Sequence, residues 1–570
     1  MLDRLAGLET EYALRFSPAE AGRRPDNDVL FGAVLDAVRQ LVPALPGRGR
    51  PGRPHFFTAN GGSLYYEMLP HEPAGGLLEC STPECRGPGQ LLLYQQAQEA
   101  LLRRALPIAE ARLRTDGTPG HLGLLKNARD AEGHTYGPQE NFEAEFAGGA
   151  GLLAFRVGVT LLLPPLALTA LVLWALMLAL LVSLAATLLV IGVLDALIGA
   201  VHRGPRRTFV SRLMDDGRRF ERAVGRAEMV LEFALVFPVL GPFAALVNAF
   251  GFRRARRALS AFLVSRCVIS GTGTVEPDGR FLLSEKGPGI RRVIRWSPAP
   301  AGRAIYDTGN LMKHMMGPLV LDFAAPFALF ARRQRLQLGL ADPNRCQAAE
   351  YLKLGATLLV LDMAEAGALD DAPRLRRPVA ALHALIADPT LAAKVPVRGA
   401  APMTALELQR WYLDRARKFL AEAPAPSLEA HEVVRLWGEA LDALANEPGA
   451  LLGRIDWLTK RHLLESAAAT APFAVRKKID LRYHELGDGY LAQMEAVGLA
   501  PRLVTPTEAE AAVRVPPAES PARQRGRLIR ELADRELPAT VSWDSVRIGG
   551  ALRGRVVRLD AWRERRREEP

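Results

Sequence analysis

The chain has 570 residues, 49% hydrophobic and 24% charged, ordinary globular values that allow at least one large core within two or three domains. Its 73 Lys+Arg against 62 Asp+Glu leave a net charge of +11, which favours acidic partners such as an acidic protein, anionic lipid or nucleic acid. No zinc-type Cys/His spacing or nucleic-acid motif supports the last, so no nucleic acid partner is expected. The four cysteines make no disulfide framework, and Cys80 with Cys85 lacks the second pair a metal site needs.

In chain order, MLDRLAGLETEYALRF lacks the basic-then-apolar pattern of a secretion signal, so the catalytic part is expected in the cytoplasm. GLETEYALRF and GGSLYYEML read as strands. VLFGAVLDAVRQLV and GQLLLYQQAQEALLRRAL carry apolar residues at helical spacing. HLGLLKNARDAEGHTYGPQENFEAEF then reads as strand, polar loop, strand.

From Val157 to Leu194 no residue is charged, and Leu, Val and Ala dominate. One membrane span needs about 20 apolar residues, so this run nearly suffices for two. A second uncharged run, 233–252, carries Pro238, Gly241, Pro242 and Asn248. An Arg-rich loop occupies 203–228, and RRARR follows at 253–257. Positive charge marks the cytoplasmic side of membrane segments. Both basic flanks are therefore expected inside, with a transmembrane hairpin folded within 157–194 and a re-entrant or interfacial 233–252. The competing topology has one span in each run. In both, lipid contact through 157–252 and a membrane-associated chain with a cytoplasmic catalytic domain are expected.

Beyond this insert, RRALSAFLVSRCVISG reads as helix and TVEPDGRFLLS as a hairpin turning at Asp-Gly. CQAAEYLKLGATLLVLDMAEAG reads as helix, and helices dominate from about 405 to 470. Helix and strands close the chain after about 495. The expected division is 1–148 and 256–490 for the two parts of a catalytic domain, 149–255 for the membrane-inserting segment, and 491–570 for a small C-terminal domain.

The chemistry lies in carboxylates. Glu9 and Glu11 are two apart in a strand and share one sheet face, as do Tyr65 and Glu67 in another. Glu79 and Glu84 follow around a proline in LLECSTPECRG. Carboxylates crowded on one face repel, and a hard cation such as Mg2+ relieves them. Mg2+ bridging phosphates suits phosphoryl transfer from ATP. No GxxxxGK[ST] occurs, so a P-loop ATPase is not supported.

The succession GLETEY, ANGGSLYYE, ECSTPEC and KNARDAEGHTYGPQEN resembles, in order, the N-terminal half of the Pup-ligase and Pup deamidase/depupylase family. The resemblance resumes at SAFLVSRCVISGTGTV and runs through RAIYDTGNLMK, LGLADPNRCQAAEYLKLGATLLVLDMAEAG, IDWLTKRHLL and IDLRYHELG to TPTEAEAAVRVPPAES. It implies an α+β, glutamine-synthetase-like (carboxylate-amine ligase) fold, with an antiparallel sheet cradle, flanking helices and a small C-terminal domain. It implies ATP and Mg2+ as cofactors, a Pup-like small acidic modifier as partner, and lysine-bearing protein substrates.

By motif match, Glu9, Glu11, Tyr65, Glu79 and Glu84 are implied as metal ligands, and Glu67 as the catalytic base where the family has Asp. Asn127, Glu140, Asn141, Arg303, Asp342 and Asn344 are implied as nucleotide-site residues. His484 reads as structural. Three departures stand out: Pro138-Gln139 replaces the family Cys-His, extra residues including Gly75-Gly76 separate Glu67 from Glu79, and RAIYDTGNLMK replaces a run containing NTRDEP. Depupylases of this family carry a long insertion between the first glutamate strand and the NGxRLY strand. Here only about fifty residues link Glu11 to Asn60, the spacing of ligases, with a depupylase or a membrane-bound scaffold as the other readings.

Overall fold

The computed structural model describes residues 1–19, 24–48, 54–69, 72–201, 236–295, 302–425, 427–550 and 554–559. Alternation of apolar and polar residues builds its centre. In β1 (Leu5–Pro18), Ala6, Leu8, Thr10, Tyr12, Leu14 and Phe16 are buried on one side, and Gly7 and Glu9 point to the other. The same period of two recurs in β4 (Ser63–Leu69) and β8 (Gln139–Glu145), whereas β5 (Glu72–Ser81) is buried throughout 75–81.

These strands belong to one 11-stranded sheet. From one edge it runs through β11 (Ile290–Ile294), β12 (Arg303–Asp307), β13 (Arg333–Leu338), β8, β1, β5 and β4. It continues to β3 (His55–Thr58) and β2 (Ala44–Pro46). The short β6 (Cys85–Arg86) and β7 (Gly120–Leu125) pair with the two ends of β1, while β9 (Thr274–Val275) and β10 (Phe281–Leu282) form a separate two-stranded sheet. Pairing is antiparallel except between β11 and β12.

One face of the sheet is closed by helices. The long α1 (Gly87–Thr115) lies under β1, where its Gln95 and Gln98 donate to the Tyr12 hydroxyl, each at 3.1 Å. Residues Gln347–Ala366 form a second core helix beside it, and Arg4, just before β1, hydrogen-bonds Glu365 on that helix at 2.9 Å. The other face carries the polar side chains and forms the cradle.

At the C-terminus, the helix Pro521–Asp534 and a three-stranded sheet build a small separate core around Leu45, Phe57, Ile529, Val541 and Val546. Arg525 seals it, its guanidinium 5.4 Å from the Phe57 ring and 4.7 Å from Trp543.

The apolar insert departs from the expected hairpin. Residues Gly149–Val201 form one uninterrupted helix of 53 residues, running through Pro164 and Pro165. Between Pro165 and Gly192 there is no Gly, Pro, Asn or Asp, so the run has no residue suited to reverse the chain. The segment Gly149–Val193 is the one described helix long and apolar enough to cross a membrane; its most apolar 18-residue stretch has a mean hydropathy of 2.7 and no buried residue, while Phe155, Val159 and Leu166 nearer its start are buried. A second helix, Val236–Phe250, bends by 73° into Arg253–Ser265. The Arg-rich loop 203–228 and positions 233–235 lie outside the described residues. The two roots of the insert adjoin: the Phe252 N–H donates to the Phe146 carbonyl at 2.6 Å.

Candidate active site

Register brings the carboxylates together. Glu11 on β1 stands opposite Glu79 on β5, which stands opposite Tyr65 on β4, so the three form a row across adjacent strands. Glu9, two residues back along β1, faces Ser81 on one side and Gln139 of β8 on the other. Glu67 lies two residues along from Tyr65 and shares its face.

The row is crowded. Glu79 is buried, and desolvation together with the charges of Glu11, Glu9 and Glu67 pushes its carboxyl well above the usual range. Burial and the charge of Glu79 raise the Tyr65 phenol in the same way, and that phenol is hydrogen-bonded to Glu79. Such a cluster holds protons poorly shared among oxygens or takes up a hard cation. An all-oxygen donor set of this kind fits a divalent metal with a preference for carboxylate.

Arg335, Gln337 and a loop frame the row. Arg335 on β13 forms an ion pair with Glu9 and donates to Asn141 Oδ1 at 2.7 Å. Gln337, next on that face, hydrogen-bonds Glu9 at 3.3 Å and also Gln139. Glu11 is covered by residues 135–138, where the Gly137 N–H donates to its Oε2 at 2.8 Å. That loop is clamped from beyond: Arg303 Nε donates to the Thr135 carbonyl at 2.9 Å, and Lys286 Nζ to the Gly137 carbonyl at 2.9 Å. Burial and the nearby Arg303 push the Lys286 ammonium down to about 7.

The family model described as Pup-ligase protein matches residues 4–547 of this chain. The chain belongs to the Pup-ligase family. A Pup–protein ligase of Acidimicrobium ferrooxidans is 26% identical over 564 residues, covering 98% of this chain and 95% of the relative. The Pup–protein ligase of Mycolicibacterium smegmatis is 25% identical, covering 99% and 97%. The crystal structure of the complex between the prokaryotic ubiquitin-like protein Pup and its ligase PafA matches with a TM-score of 0.65 at 20% identity, covering 100% of this chain and 93% of that one. A structure of the Pup ligase PafA in complex with ADP matches with a TM-score of 0.59 at 19% identity, over 97% and 96%. The glutamine-synthetase-like fold implied by the sequence motifs is the fold of this chain.

Not every motif residue of the family pattern reaches the cradle. Glu140 was expected beside the nucleotide, but the neighbour of Asn141 in a strand must face the opposite side. It is fully buried among the helices, paired with Arg266 at 2.8 Å. Glu84 was expected with the metal ligands. The strand ends at Ser81, and after Pro83 the chain turns so that Glu84 meets Arg525 at 3.1 Å in the C-terminal unit. Asp342 was expected in the nucleotide site and instead pins a turn, accepting from Thr272 N–H at 2.9 Å, Ser284 Oγ at 2.9 Å and Lys286 N–H at 3.0 Å. Asn344 likewise ties Ser270 O at 3.0 Å to Asp456 at 2.8 Å. Asn127 sits inside the covering loop, donating to the Tyr136 hydroxyl at 2.6 Å, so its part is to shape that loop.

Glu9, Glu11, Tyr65, Glu67, Glu79, Asn141 and Arg303 therefore gather at the cradle, and Arg335, Gln337 and Lys286 join them without having been singled out. For Arg335 and Gln337 the signal was present in the alternation of RQRLQL. His484 is buried with Glu285 and Asp480, whose ligand atoms lie within 4.8 Å of one another. That spacing would suit a metal, yet Lys460 Nζ already sits among them, 2.7 Å from Glu285 and 2.6 Å from Asp480. The cluster is a buried ion-pair knot, in keeping with a structural His484.

Proposed function

We propose that this chain is an ATP- and Mg2+-dependent ligase that joins the C-terminal glutamate of a Pup-like modifier to lysines of target proteins, and that it works at a membrane. The observation that carries the reading is the Glu11–Glu79–Tyr65 row with Glu9 and Glu67 on the same face. Burial and the neighbouring carboxylates disfavour a bare charge on Glu79, a cation would relieve that repulsion, and the oxygen donors of the row fit Mg2+. Glu9, Glu11 and Glu79 would hold the metal, which supplies charge neutralisation at the phosphates of ATP.

In the reaction, an oxygen of the modifier's terminal side-chain carboxylate attacks the γ-phosphorus of ATP, and ADP leaves. The lysine amine then attacks the acyl carbon; the C–N isopeptide bond forms as the C–O bond to phosphate breaks. Glu67 takes the proton lost by the amine. Arg303, which holds the covering loop at Thr135, and Arg335, beside Glu9, carry the donor forks that suit phosphate or carboxylate oxygens. Curated relatives named Pup–protein ligase support the ligase direction.

Membrane tethering rests on the helix Gly149–Val193. Anchoring raises the effective concentration of lysines near the bilayer. Reconstituting conjugation with purified protein, ATP, Mg2+ and a modifier ending in Glu tests the activity. Release of modifier from a preformed conjugate, without conjugation, would assign a depupylase instead.

A further inference from the structure

We propose that the bilayer is contacted not only by the insert but also by residues 317–330 of the catalytic domain itself, which form an interfacial lipid shelf. The inference rests on the membrane reading above and extends it to GPLVLDFAAPFALF, an apolar stretch outside the insert whose one charged residue is Asp322. Two short turns, Gly317–Val320 and Ala325–Phe330, carry it. Leu329 is fully buried beneath, which fixes the way the turns face. Outward stand Val320, Leu321, Phe323 and Phe327, exposed by 69, 60, 61 and 67%. Leu321 is held at φ +62°, a conformation for which a turn in water would use glycine or asparagine.

The shelf lies along the insert's helix. Arg156 donates to the Phe330 carbonyl at 3.0 Å, and Trp174 Nε1 to the Pro318 carbonyl at 3.4 Å, so the two run side by side over about 27 Å, at 1.5 Å of rise per residue. Over that length the helix turns Val157, Leu161, Leu168 and Leu171 outward, each at least half exposed. A helix docked on a soluble protein carries charge on that side; this one carries none between Val157 and Leu194. Large adjoining apolar surfaces mark an interaction site. Lys313 before the shelf is exposed, and the one acid within it, Asp322, is paired with Arg48 at 3.8 Å, so the patch presents no unpaired negative charge to anionic headgroups. Trp174 stands at the junction, beyond which the helix is exposed from Ala175 to Val190, and tryptophan favours the membrane–water boundary.

The shelf joins β12 to β13, and β13 carries Arg335 and Gln337. Seating it in headgroups therefore fixes the cradle relative to the bilayer, which selects lysines near the membrane surface.

Full-length protein reconstituted in phosphatidylcholine/phosphatidylglycerol vesicles tests this, using Phe323→Cys, Leu181→Cys and Val497→Cys variants labelled with an environment-sensitive fluorophore. The four native cysteines are buried and stay unlabelled. The expected result is quenching of the 323 probe by headgroup-proximal spin-labelled lipid, of the 181 probe by mid-chain label, and of the 497 probe by neither. A 181 probe deep in lipid with a 323 probe as water-exposed as 497 overturns the shelf and leaves the membrane reading standing. A shielded 323 probe that no lipid label quenches assigns the patch to protein and also overturns it. A water-exposed 181 probe overturns the membrane reading itself.

Discussion

Glu79 concentrates the electrostatics of the site. Its proton is bound more tightly in the folded chain than at the ordinary carboxyl value of 4.5. The folded state therefore binds more protons than the unfolded one over the interval above 4.5, and stability falls as pH rises through it. Without divalent metal, thermal stability is expected to drop with rising pH over that interval, and added Mg2+ is expected to restore it, more so at higher pH. Glu79→Gln should flatten the metal-free pH dependence and remove the Mg2+ response; differential scanning calorimetry across pH measures both. Glu67 makes a second prediction. Glu67→Ala should cost about 10²-fold or more in conjugation rate with ATP affinity retained, because the base is lost and the nucleotide ligands are not. Glu67→Asp, the family's residue, should keep activity within that range. Single-turnover conjugation beside nucleotide binding separates the two.

Legibility at the scale of elements followed parity. The period of two placed Glu9 with Glu11 and Tyr65 with Glu67 on shared faces from the sequence, because β1 and β4 are regular. Which strands would neighbour them was not legible, since pairing joins residues as distant as Glu9 and Arg335. Glu140 shows the cost of reading a motif without its pleat: it and Asn141 are adjacent in sequence, yet one meets Arg266 in the core and the other Arg335 in the cradle. Glu84 was misplaced because a strand end, not a pattern, decides its direction. The insert was legible as apolar, but its course was not: charge rules favoured two spans, and the absence of turn residues yields one helix. The ion-pair knot around Lys460 makes an element-level prediction. Attraction to Lys460 and His484 holds the Glu285 carboxyl down at about 2 against the cost of burial. Lys460→Met leaves Glu285 with His484 alone and Asp480 with Lys477 alone, and removal of one partner from a buried pair costs about 3–5 kcal/mol. Urea unfolding at neutral pH should show a loss of that size.

For the whole molecule, the adjoining roots of the insert matter most. Because Phe146 and Phe252 already share a backbone hydrogen bond, the chain between them can be excised and closed by a short glycine linker without stretching the sheet. Such a protein is expected to keep conjugation of soluble lysine substrates and to lose preference for membrane-bound ones, measured by comparing conjugates formed with detergent-free membranes and with soluble lysate. An unchanged substrate profile would remove the tethering role. The most direct test of the central claim is conjugation by detergent-purified full-length protein with ATP, Mg2+ and a Pup-like modifier ending in glutamate, beside Glu67→Ala. The ligase assignment requires modifier–lysine conjugates with ADP released, absent from the variant. Tight ATP binding with no conjugate in either protein would contradict it.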